Sequence, residues 1–196
     1  MTESGWLRTE KSFNMLRSLG FSFSPRKLRL FARAVACEEW KLDSQHAECR
    51  AYLLQLMEHF ADGEPLPAGF RLVRSARITD PLHPGNPLQN EAWEAALWAG
   101  TPCSYLQTTL ELRAHLLRDI FGNPFRPVAF DPNWRTSTVV SIAQGLYDTR
   151  DFSAMPILAD ALEDAGCDHA DILDHCRGTG PHVRGCWVVD LVLGKT

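Results

Sequence analysis

The residues most able to do chemistry crowd into one stretch near the carboxyl end, where Cys167, His169, His175, Cys176, His182 and Cys186 follow the pattern C-x-H-x5-H-C-x5-H-x3-C. Thiolate and imidazole are zinc's preferred donors, and a structural site takes four of them at roughly 2.0 to 2.3 Å. The pattern lacks the C-x2-C knuckle of ribbons and fingers, so the metal reading rests on donor type and proximity alone. Its candidate ligands are Cys167, His175, His182 and Cys186. His182 and Cys186 are four apart and share a helix face if the last helix begins early, with His175 and Cys167 carried in across the turn. The plainer expectation is that Cys167, Cys176 and Cys186 pack as small buried hydrophobes, while His175 and His182 bond to backbone at helix ends. No cofactor is expected on that reading, and zinc is the one candidate.

The same residues suggest a nucleophilic thiol, with Cys186 attacking, His182 or His175 as base, and Asp190 or Asp174 as orienter. Such a set needs an accessible thiolate in an electropositive setting. Cys186 instead adjoins Trp187 and Val188 in the most apolar part of the chain, where burial quiets a thiol. No G-x-S-x-G, H-E-x-x-H, phosphate loop or dinucleotide fingerprint occurs. No catalytic residue is therefore assigned.

Charge offers a third chemistry. Arg26, Arg29 and Arg33 share one face of an expected helix, with Lys27 beside them, and such cationic rows hold phosphates. Arg71, Arg74 and Arg77 form a second row. These are candidate nucleic-acid contacts, although a solvated face paired with acids such as Glu38 and Glu39 is the plainer account. The acids Asp160, Glu163, Asp164, Asp168, Asp171 and Asp174 lack the oxygen spacing of a calcium loop and read as wet helix faces. Asp190 is a lone carboxylate in an apolar segment and calls for an arginine such as Arg184 or Arg177.

Helices must position all of these groups. Ser24-Pro25 starts one that carries Leu28, Phe31 and Val35 to about Trp40. Asp43 or Ser44 caps another, ending at Asp62-Gly63. Residues 65–89 are rich in proline and glycine, with a short helix expected near 70–78. Helices resume at about 90–100 and 104–121. The stretch FGNPFRPVAFDPNW then carries three prolines and is extended or turned, its aromatic rings anchoring in the core. Thr136 or Ser137 caps the next helix, Asp151 or Ser153 the one after, and a short helix spans about 169–176. A closing helix is expected over 184–193, despite its β-branched content, because no partner strand is evident. The fold expected is all-α, a compact bundle or short stack of helix pairs. Residues 1–64 form an N-terminal helical region, 65–89 a connection and 90–196 a C-terminal helical region packed with the first as one unit.

Composition bounds what this body is. The 196 residues carry 45% hydrophobic and 22% charged side chains at net charge −4, the balance of an ordinary globular chain able to bury a core without staples. No apolar run is long enough to span a bilayer. The opening MTESGWLRTEKSF has no secretory signal pattern, and six scattered cysteines favour reduced thiols. A cytoplasmic location is expected.

The segments LLRDIFGNPFRPVAFDPNW, PILADALEDAGC and GPHVRGCWVVDLVLGK, with MTESGWL and RKLRLFA near the start, resemble an uncharacterised domain of planctomycete-type bacteria. The resemblance covers both ends and weakens through about 45–102, where this chain is shorter than the family's usual helical region. It implies a shared bacterial fold and brings no activity, ligand or partner. The function expected is therefore a helical interaction or scaffold module for an unidentified protein partner. The alternatives are a metal-dependent or thiol enzyme at the C-terminal cluster and nucleic-acid binding through Arg26, Arg29 and Arg33.

Overall fold

A computed structural model describes residues 1–19, 24–40, 54–55, 57–64 and 109–195. Among them every regular element is helical, and the chain is an all-α bundle. In order these are α1 (Glu3–Arg8), α2 (Ser12–Leu19), α3 (Pro25–Trp40), the helical residues 54–55 and 57–61, α4 (Leu110–Phe121), α5 (Ser137–Thr149), α6 (Met155–Asp164), α7 (Ala170–Arg177) and α8 (Trp187–Leu193). Short 3-10 turns, Pro132–Trp134 and Phe152–Ala154, precede α5 and α6. The expected short helix near 70–78, the helix at 90–100, the connection over 65–89 and the Arg71, Arg74 and Arg77 row lie outside the described residues.

Local chemistry accounts for the helix ends. Thr2, Thr109 and Thr136 each accept a hydrogen bond from a first-turn backbone N–H, at 3.2, 3.1 and 3.3 Å, which satisfies a donor the helix itself cannot. Asp151 caps the turn before α6, and Pro156 follows in the first turn of that helix. The closing segment is a helix from Trp187, three residues later than expected, with Cys186 at its cap. Arg135 donates to the carbonyls of Leu191 and Val192, both at 2.7 Å, and so closes its C-terminal end.

Two hydrophobic clusters fill the body. The first joins Trp6, Met15, Leu16, Leu30, Phe31, Leu116, Leu117 and Ile120 from α1 to α4. The second joins Val139, Leu146, Met155, Leu158, Leu162, Ile172, Val188 and Val189 from α5 to α8. At about 1.5–3 kcal/mol for each fully buried large side chain, these clusters are the main source of stability. The division between them falls just after Phe121. α4 therefore belongs with the N-terminal helices, although its sequence position put it in the 90–196 region. In the proline-rich loop, Phe130 and Trp134 meet edge to face at 5.4 Å against the second cluster. Phe125, expected as an anchor, is 42% exposed instead.

A seam separates the two clusters, and on the first cluster's side polar contacts brace its helices. Trp6 Nε1 donates to the Gly122 carbonyl at 3.0 Å, and Arg118 donates to the carbonyls of Trp6 and Thr9, so α1 is tied to the end of α4. Among the described residues no helix is long and apolar enough to cross a membrane.

Candidate metal centre

Asp119 is the unexpected member of the site. It sits in α4 between Leu117 and Ile120, both fully buried, and helical periodicity turns its carboxylate inward with them, to 3% exposure. A buried carboxylate needs partners. Its Oδ2 accepts the Val183 backbone N–H at 2.9 Å, and its Oδ1 accepts His182 Nδ1 at 2.8 Å and lies 3.2 Å from His175 Nε2.

His175 comes from the last turn of α7, while His182 and Cys186 come from the loop that follows. That loop is pressed against α3. Gly185 has φ +99°, and a Cβ there would stand 2.8 Å from Leu30 Cδ1, so only glycine fits. Its position fixes Cys186 at the head of α8. His175 Nε2 then lies 3.2 Å from Cys186 Sγ. The two imidazoles meet edge to face at 4.9 Å, and Trp187 covers His175 with ring centroids 5.2 Å apart. Trp187 also packs on Gly122, where a Cβ would come within 3.2 Å of the indole.

The result is four donors, one each from Asp119, His175, His182 and Cys186, all within 4.8 Å of one another. Tetrahedral bonds of 2.0 to 2.3 Å put donors roughly 3.3 to 3.8 Å apart. Shifts of less than about 1 Å would therefore seat an ion of zinc's size. The place is closed: Cys186 is fully buried, and the His182 and His175 side chains are 8% and 19% exposed.

The electrostatics follow from that closure. Burial opposes charge on Asp119, but hydrogen bonds from His175 and His182 outweigh it and hold the carboxyl below its ordinary value. Burial likewise disfavours an imidazolium at His182, yet the bond to Asp119 raises its pKa. Cys186 is different. Burial and the nearby Asp119 charge push its thiol well above the ordinary value, so without a cation beside it the sulfur keeps its proton.

Of the four ligands expected from the sequence, His175, His182 and Cys186 are brought together and Cys167 is not. Cys167 closes the C-terminal end of α6, its N–H bonded to the Leu162 carbonyl at 2.9 Å, and its side chain packs in the second cluster. Nor do His182 and Cys186 share a helix face, since α8 begins after both. The turn carries them instead. His169 occupies the cap position of α7 without a side-chain cap bond. Cys176 faces the second cluster, its thiol pushed up to about 12 by burial. Asp119 was missed because it stands far from the cysteines in sequence. The available signal was a carboxylate on the apolar face of LLRDIF.

His175 does not act as the base of a thiol relay. A base between cysteine and carboxylate uses one ring nitrogen for each, whereas His175 turns the same Nε2 toward both Cys186 and Asp119.

The arginine row is also corrected. Arg26 and Arg33 are only 11% and 13% exposed and point into the seam. Arg26 pairs with Asp190 at 2.6 Å and Asp62 at 2.9 Å, and Arg33 with Glu58 at 2.8 Å. Arg29 stacks over Phe60 at 4.1 Å. Arg150 and Arg184 complete the network on Glu58 and Asp62. Neither a free phosphate-binding row nor a solvated face describes Arg26 and Arg33, because the acids at 58, 62 and 190 draw them inward. Asp190 thus finds Arg26, while Arg177 binds Asp160 and Glu163 at the surface.

No protein-family model, curated protein or solved structure matches this chain.

Proposed function

We propose that this protein is a helical interaction module built around a structural zinc centre, with Asp119, His175, His182 and Cys186 as the ligands. The observation that carries the reading is the meeting of four zinc-type donors, from three separated stretches of chain, at one closed point. A carboxylate, two imidazoles and a thiolate suit a borderline-soft, tetrahedral ion. Four protein ligands also complete its shell. Catalytic zinc keeps a position for water or substrate, and a centre filled by side chains and shut from solvent serves the fold. Function then falls to the outer helix faces and a protein partner.

Zinc competition with a chromophoric chelator tests this on the purified full chain. One equivalent should bind, be lost in Cys186→Ser, and persist in Cys167→Ser. Equal binding by wild type and Cys186→Ser, or none at micromolar free zinc, would overturn the assignment.

A further inference from the structure

The ligands are not gathered from one core. Asp119 belongs to α4, whose neighbours Leu116, Leu117 and Ile120 lie in the first hydrophobic cluster. Cys186 belongs to the second, and His175 is carried by α7, which packs there through Ile172, Leu173 and Cys176. A tetrahedral ion bound by all four would therefore cross the seam between the clusters.

The connecting loop adds a second fastening. His182 and Cys186 turn toward the centre, while Arg184 between them reaches Glu58 at 3.0 Å and Asp62 at 2.8 Å. Val183 donates its N–H to Asp119, and Gly185 lies against Leu30 of α3. Five consecutive residues thus touch either the centre or the first core's side of the seam. The arginine–carboxylate network needs no metal. At the centre, by contrast, the metal-free contacts between the four donors and across the seam are the hydrogen bonds of Asp119, flanked by the packing of Trp187 on Gly122 and of Gly185 on Leu30.

We infer that metal occupancy sets how firmly the α1–α4 core is held to the α5–α8 core, the ion acting as a clasp beside the permanent ionic latch of Arg26, Arg150 and Arg184. This rests on the zinc reading above and adds a conformational consequence to it. Filling the site converts weak contacts into metal–ligand bonds whose free energy becomes seam stability. Emptying it frees α4 from α7 and α8 and uncovers the indole of Trp187 against Gly122. α1 follows, because Trp6 and Thr9 hang on Gly122 and Arg118. α5 and α6 supply no ligand, and their packing on each other stays intact.

Hydrogen–deuterium exchange of the full chain, zinc-loaded and after chelation, with metal content measured on the same samples, tests the clasp. The expected result is exchange at least about tenfold faster in α4, α1, the 178–186 loop and α8 after chelation, with α6 unchanged; local opening free energies of this size are what exchange resolves. Zinc that binds stoichiometrically yet alters protection only at 175–186, or in all helices alike, overturns the clasp while leaving the zinc reading standing. Samples that hold no zinc sink both. Arg184→Gln separates the two fastenings: it should keep its zinc, and its seam should open further on chelation than that of the wild type.

Discussion

Asp119 and His182 lie 63 residues apart in sequence, one in α4 and one in the loop before α8, and are joined by a 2.8 Å hydrogen bond from the ring Nδ1 to the carboxylate. This contact makes a test possible, because Asp119→Asn preserves shape and removes the charge that both imidazoles use. The metal-free variant should lose about 1–3 kcal/mol, the usual cost of a compromised buried charge-assisted bond. Its zinc affinity should fall by more than about a hundredfold, beyond what loss of an outer-sphere partner causes. Urea denaturation and chelator competition read the two effects.

Asp190 and Arg26 join α8 to the first turn of α3 through two hydrogen bonds, at 2.6 and 3.1 Å. Asp190→Ala leaves a largely buried guanidinium short of an acceptor and should cost about 3–5 kcal/mol. Arg26→Met combined with Asp190→Leu should recover most of that loss. Parallel denaturation curves decide, and a double variant as weak as the single one would contradict this account of the pair.

Gly185→Ala tests the close approach that positions Cys186. Its φ of +99° and the 2.8 Å approach to Leu30 both penalise a Cβ. Backbone strain and overpacking together should cost about 2–4 kcal/mol. Gly145, where a Cβ would meet nothing within 4 Å, is the control, and Gly145→Ala should be neutral or mildly stabilising.

Zinc affinity should rise with pH. Burial raises the Cys186 thiol well above its ordinary value and the Asp119 bond raises His182, so both hold protons that a metal must displace. A raised pKa means the proton competes over a wider range, and binding is weakened toward acid. Around neutrality the thiol proton alone should give about a tenfold gain per pH unit, with a steeper slope where His182 is also protonated. Competition titrations at several pH values measure the slope, and a flat profile would contradict proton displacement.

The fold was legible where the signals are local. Thr136 before an apolar helical stripe, Pro156 early in α6 and Gly166 after it are all backbone statements, and each stands where the periodicity put it. Even Trp187 to Leu193, rich in β-branched residues, forms a helix, because it packs on α5 rather than on a strand. The donor types near the carboxyl end were legible too. Their grouping was not, since proximity in sequence favoured Cys167, which α6 carries into a core, over Asp119, which α4 brings from across the seam. For the same reason Arg26 and Arg33 looked outward: which face of an arginine-bearing helix is wet depends on acids at 58, 62 and 190 that no pattern within α3 reveals.

The most direct test of the central claim is the absorption spectrum of the full chain titrated with cobalt(II), a coloured stand-in for zinc. A tetrahedral site with one thiolate should give an intense visible band and a sulfur-to-cobalt charge-transfer band, saturating at one equivalent and abolished in Cys186→Ser. A pale, octahedral-type spectrum, or one unchanged by that substitution, would show that these four side chains do not hold a metal together.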